Sequence, residues 1–149
     1  MTVGQRILEA IVTALSTSRP VGVPAVSLVR AENIAPVQLP DGVVLPGPEA
    51  SARLQPPNGP LNKVQATVFV WYRAAGDGTD GPVKKLDPMK AWAIAKLDGS
   101  NLGGLALTCE YAGIKDWEFA ASERFFGRQA LQFEVTYTHA VGNAELTGR

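Results

Sequence analysis

Few residues in this chain have the types and spacing for chemistry, and each is quickly weighed. His139 is the only histidine, so a Ser-His-Asp site would have to use it, and no G-x-S-x-G elbow accompanies it. It follows Thr138 at the end of an alternating segment, the position of a strand-end residue near the surface. Cys109 is the only cysteine, so no intrachain disulfide can form, and one His with one Cys cannot supply the usual zinc or iron ligand sets. Gly76, Gly78 and Gly81 match G-x-G-x-x-G, but a dinucleotide fingerprint needs its third glycine in the opening turn of a helix. Here Pro82 and three more residues separate Gly81 from Leu86, and Asp77 and Asp80 would repel phosphate, so a solvated strand-to-helix loop is expected. Asp77/Asp80 and Glu118/Glu123 are the carboxylates close in sequence, and nothing pairs either set for general acid–base work. No catalytic residue, cofactor or metal ligand is assigned. A non-enzymatic chain that presents surfaces to protein partners is expected.

Those surfaces must be carried by a small framework. At 149 residues and 46% hydrophobic, the chain can bury one core without staples, so a single domain over 1–149 is expected. Fourteen basic and fourteen acidic residues give a net charge of +0, which provides no means of holding a polyanion and lets like molecules approach. Specific nucleic-acid binding is therefore not expected. Arg6 and Glu9 interrupt the apolar pattern at the start, so no signal peptide is read, and no 18-residue apolar run spans a membrane.

The periodicity switches along the chain. Ile7, Leu8, Ile11, Val12 and Leu15 predict an amphipathic helix within Val3 to Ser16, ended by Arg19-Pro20. Ala25 to Val29 reads as a short strand. Seven of the 11 prolines (Pro36, Pro40, Pro46, Pro48, Pro56, Pro57, Pro60) then fall in a stretch at about 34–62. Because proline removes ladder donors, this stretch predicts an extended arm with one short edge strand, mobile over 36–61 in an isolated subunit. Lys63 to Arg73 is a strand apolar on both faces toward its end, hence expected to be covered on both sides there. Asp87-Pro88 predicts a cap and first turn for a helix over 87–98, with Met89, Trp92, Ala93, Ile94 and Leu97 as its stripe. Strands are expected near 104–111 and 129–138. In the latter Leu131, Phe133, Val135 and Tyr137 alternate with Gln132, Glu134, Thr136 and Thr138. The tail after Ala140 has little to anchor it. The fold class is α+β: two helices on a mainly antiparallel sheet.

Between the last two strands lie Trp117, Phe119, Phe125 and Phe126 among charges. Core packing and interface anchoring fit these aromatics equally. As a protein interface, Trp117, Phe125 and Phe126 with Arg124 and Arg128 are the candidates, because aromatics and arginine dominate interface energetics.

Taken in order, the chain shows an N-terminal amphipathic helix, Val29-Arg30, a Pro-rich stretch with Leu39-Pro40 and a long strand. A helix closing on Asp98-Gly99, then Leu102-Gly103-Gly104-Leu105 and a last strand Gln132-Phe133-Glu134-Val135-Thr136-Tyr137 follow. In order and texture, over roughly residues 3–139, this resembles the tail-terminator (tail-completion) proteins of long-tailed bacteriophages. Residues 41–61 depart from that pattern. The resemblance implies a sheet with helices packed on it and a homo-hexameric ring. Such a ring caps the tail tube, ends its polymerisation, and offers a surface to the head–tail connector proteins, with DNA passing through. It also implies a virion component of the tail or neck, assembled in the host cytoplasm. Another head–tail joining protein (adaptor or stopper), a small-molecule-binding module and an enzyme are the alternatives.

Overall fold

The computed structural model describes residues 1–28, 40–55, 59–76, 81–120 and 126–147. Helix α1 runs Val3–Ser16, and its buried residues Val3, Ile7, Ile11 and Leu15 recur every fourth position, so they form one stripe. Thr2 caps it, its side-chain oxygen accepting from the Gln5 amide at 3.1 Å. The strands are β1 (Val26–Leu28), β2 (Asp41–Leu54), β3 (Leu61–Ala75), β4 (Thr108–Ala120), β5 (Phe126–Ala140) and β6 (Asn143–Thr147). They form one sheet ordered β1-β2-β3-β5-β4, with β6 paired to the end of β5. Every described pairing is antiparallel except β1 with β2, so the expected α+β class with two helices and a mainly antiparallel sheet is what the chain forms.

The alternation in β5 determines the layers. Leu131, Phe133 and Val135 are 0% exposed and Tyr137 is buried, while Gln132, Glu134 and Thr136 lie on the other face. Across the ladder, Val64, Val68 and Val70 of β3 share the buried face with them. Helix α1 and helix α2 (Pro82–Leu97) cover that face. The two helices are tied together where the Trp92 indole donates to the Leu15 carbonyl at 3.0 Å. Each such side chain contributes about 1.5–3 kcal/mol when taken from water, so the inner face carries most of the stability.

Four sequence expectations are corrected. The Pro-rich stretch holds a 14-residue strand, β2, paired with β3 from Asp41–Arg73 to Leu54–Leu61. Proline is tolerated because β1 pairs only with Gly42, Val43 and Val44. Pro46 and Pro48 come after that, at a register shift between Pro46 and Glu49, where β2 has no outer strand partner among the described residues and needs no outward donor. Helix α2 begins at Pro82 rather than after Asp87. Gly81 is its N-cap, Pro82 takes the first position, where a missing donor is tolerated, and Pro88 lies inside at the cost of one intrahelical hydrogen bond. The strand expected near 104–111 starts only at Thr108 and runs on to Ala120, because Leu102–Gly104 form a short 3₁₀ turn in which Leu102, Gly103 and Gly104 have φ of 52, 69 and 90°. The tail is anchored by β6. The Glu145 carboxylate accepts from the Met1 amine at 2.9 Å, and Arg6 donates to the Glu145 carbonyl.

Gly42 is the tightest point of the sheet. A Cβ there would meet Val26 Cγ1 at 2.6 Å and the Tyr72 ring at 2.9 Å, so β1 closes down on a position where only hydrogen fits. The Tyr72 hydroxyl is buried with no hydrogen-bond partner among the described residues. Gly42→Ala is therefore expected to destabilise by about 1–3 kcal/mol, whereas Tyr72→Phe is expected to be neutral or stabilising by up to about 1 kcal/mol. Urea midpoints at constant m-value measure both.

Cys109 is fully buried on the inner face, and burial first, then Asp98 and Glu110, push its thiol up to about 12. A thiol that stays neutral when folded but ionises near about 8.5 when unfolded leaves stability intact below that pH. Stability then declines by up to about 1.4 kcal/mol per pH unit between the two values, because the unfolded state alone sheds the proton. The alkaline limb of a stability–pH curve is expected to flatten in Cys109→Ala, and the native thiol is expected to resist alkylation until the chain unfolds.

Candidate functional site

The residues with chemical potential are dispersed in the fold. The His139 Nδ1 lies 2.9 Å from the Ala140 carbonyl, which can only accept, so Nδ1 carries the hydrogen. Cys109 packs among Val135, Phe133 and Leu97 in the core. Among the described residues no group of three or more His, Cys, Asp or Glu side chains converges as a metal site. Gly81 is the N-cap of α2, while Gly78, Asp77 and Asp80 lie outside the described residues.

The sheet face turned away from the helices is the larger feature. Residues opposite one another across an antiparallel ladder share a face, so Arg73, Trp71, Phe69 and Thr67 of β3 lie level with Arg128, Ala130, Gln132 and Glu134 of β5. Val43 and Leu45 of β2 adjoin Trp71 and Phe69. Phe69 and Trp71 are half-buried there, although both described helices pack on the opposite face. Their cover is local. The Arg128 guanidinium sits 5.0 Å over the Trp71 ring, and Gly47 in the bulge lies so close that a Cβ would meet Phe69 at 2.7 Å. The expectation of a second layer over this end of β3 thus resolves, among the described residues, into side-chain and backbone cover.

Charges on this face are internally matched. The Arg73 Nε donates to Asp41 Oδ1 at 2.7 Å and a second guanidinium nitrogen bonds Asp41 Oδ2, the two-pronged geometry that suits arginine and carboxylate. This hydrogen bonding, more than the opposing charge, raises the Arg73 pKa above its ordinary value. The Glu134 carboxylate accepts from the Thr67 hydroxyl at 3.1 Å and from the Gln132 amide at 2.7 Å. An apolar strip flanked by the Asp41–Arg73 ion pair and by amides thus forms this face.

Of the sequence candidates, Trp117 and Arg128 are placed and they do not meet on one face. Trp117 lies opposite Gln129, whose side-chain amide donates to the Leu86 carbonyl of α2 at 3.0 Å, so Trp117 belongs to the helix side of the sheet. It is 43% exposed on edge strand β4, whereas Arg128 points to the outer face over Trp71. Phe126 opens β5 opposite Ala75 and Ala120. Arg124 and Phe125 lie outside the described residues. The stacking of Arg128 on Trp71 escaped the sequence reading, which grouped residues by proximity along the chain. The signal that could have found it is the strand period, which puts Trp71 on the polar face of β3.

The two longest hairpins point in opposite directions. Strands β2 and β3 end their pairing at Leu54–Leu61, level with Ala140 of β5, and β4 and β5 end theirs at Ala120–Phe126, level with Ala75 of β3. With 15 residues each in β3 and β5, at about 3.3 Å per residue, the ends are roughly 45–50 Å apart.

No family model matches the chain, and no curated protein matches it. Among solved structures, the fold is similar to a chain in the virion of a native gene transfer agent particle. The two are 16% identical, with a TM-score of 0.48, over 91% of this chain and 90% of that one.

Proposed function

We propose that this chain is a structural subunit of a phage-like tail, of the tail-terminator kind: a homo-hexameric ring that caps the tail tube, ends its polymerisation and offers its far side to the head–tail connector proteins. The single observation that carries this reading is the pair of long hairpins, β2–β3 and β4–β5, directed to opposite ends of one sheet. A capping subunit needs two separated contact regions, one toward the tube and one toward the head, with a lateral surface between them. The sheet supplies that arrangement, and its outer face of Val43, Leu45, Phe69 and Trp71 supplies the lateral surface. The zero net charge and the matched ion pairs favour association of like subunits. The order of elements along the chain, with its Leu102-Gly103-Gly104-Leu105 turn and terminal strand, adds the family resemblance.

Head-to-tail contacts close into rings when the rotation per subunit closes, and a ring matched to the tube engages every terminal subunit together. Modest individual contacts then give a lasting cap. Trp117, Phe125, Phe126, Arg124 and Arg128 remain the proposed anchors, with Trp117 and Arg128 serving different faces.

Adding the protein to polymerising tail tubes and measuring lengths by electron microscopy tests this reading. Shortened, uniform tubes bearing a sixfold end ring are expected. Unchanged lengths with bare ends would remove it, and binding to a portal complex but not to tubes would turn it into an adaptor or stopper.

A further inference from the structure

On the helix side of the sheet, between the amino end of α1 and the first part of β2 and β3, lies a cavity of about 400 Å³, within the size range of small-ligand sites. Its walls include the aliphatic side chains of Ile7, Leu8, Pro46 and Val64, with Thr2, Gln5, Ser51 and Thr67 among its polar lining. Glu49 of β2 and Tyr137 and His139 of β5 line it as well. Tyr137 is only 6% exposed. Its hydroxyl is 3.0 Å from where a Cβ on Gly4 would stand, so the cavity floor exists because residue 4 has no side chain.

The lining sets the sign of a bound group. The His139 Nδ1 faces the Ala140 carbonyl at 2.9 Å, which leaves Nε2 as the ring nitrogen open to a ligand. The Tyr137 oxygen accepts as well as donates, and Glu49 brings a full negative charge close enough to join burial in raising the tyrosine's pKa. The amino end of α1 opposes this with a partial positive charge of about half a unit, less than the carboxylate. Thr2 has already used its side-chain oxygen and its carbonyl on the Gln5 and Arg6 amides.

We infer that this cavity binds a primary ammonium group carried on an aliphatic stem, with the ammonium between Glu49, Tyr137 and His139 and the stem along Ile7, Pro46 and Val64. Two sources carry that chemistry: a free alkylamine and the lysine side chain of a docking protein. The site is separate from the outer face proposed as the lateral surface, because Glu49, Tyr137 and His139 lie on the helix side of the sheet.

The test is titration of the full-length, isotopically labelled chain, followed by amide chemical shifts. The probes are n-butylamine, Nα-acetyl-lysine N-methylamide, butyrate and 1-butanol. Both amines are expected to shift Gly4, Glu49, Val64 and Tyr137 with an about millimolar Kd, the scale a five-heavy-atom fragment can reach, and butyrate and butanol at least about tenfold more weakly. Glu49 is exposed, so Glu49→Gln is expected to leave the fold intact and lower amine affinity at least about tenfold, the scale of one charge-assisted hydrogen bond. Tyr137→Phe is expected to weaken binding by a smaller factor. A lysine derivative about tenfold tighter than butylamine identifies a peptide source, and equal or weaker binding identifies a free amine. Butyrate binding as well as butylamine, no shift with either amine, or affinity unchanged in Glu49→Gln overturns the inference.

Discussion

The register between β3 and β5, from Leu61 opposite Ala140 to Ala75 opposite Phe126, decides which side chains meet the helices and which do not. A slip of one residue would turn Leu131, Phe133 and Val135 outward and bury Gln132 and Glu134, at several kcal/mol for each unsatisfied polar group. The other strands inherit this choice. β2 lies along β3, and β4 lies along β5. At the Phe126 end, Gln129 fastens the ladder to α2. At the other end, Gly4 lets α1 approach Tyr137 and leaves the cavity beneath it.

Much of this was legible from period alone. The four-residue spacing of α1 and the two-residue alternation of β5 each identify an element and its buried face, since both depend on local geometry that the chain itself encodes. What was not legible depended on neighbours. A proline-bearing strand is tolerable only where the outer edge is free, and nothing in residues 41–54 announces that β1 stops at Leu28. Two Gly/Asp-Pro signals compete for the start of α2, and the earlier one wins because it brings Leu86 into the core beside Met89. The candidate interface suffered from the same limit. Trp117 and Arg128 are near in sequence, yet alternation across a hairpin sends them to opposite faces. The cavity draws on α1, β2, β3 and β5, so no window of sequence contains it.

The surfaces share a physical theme. Charges are matched within the fold, as in Asp41–Arg73 and Met1–Glu145, and the outer face mixes half-buried aromatics with amides. Its exposed edges are blunted by devices that discourage indiscriminate strand pairing: Pro46 and Pro48 on β2, and two register shifts with Lys115 and Asp116 on β4. Runaway edge-to-edge growth is thereby discouraged.

The β3–β5 pair as the organising element is tested most directly by native-state amide hydrogen exchange on a verified monomer. The slowest amides are expected at 64–72 and 131–137, exchanging only by global unfolding, with β2 amides at 49–54 protected to a lesser but measurable degree. Helix α1 or α2 outlasting these strands, or residues 41–54 exchanging at unstructured rates, would contradict it.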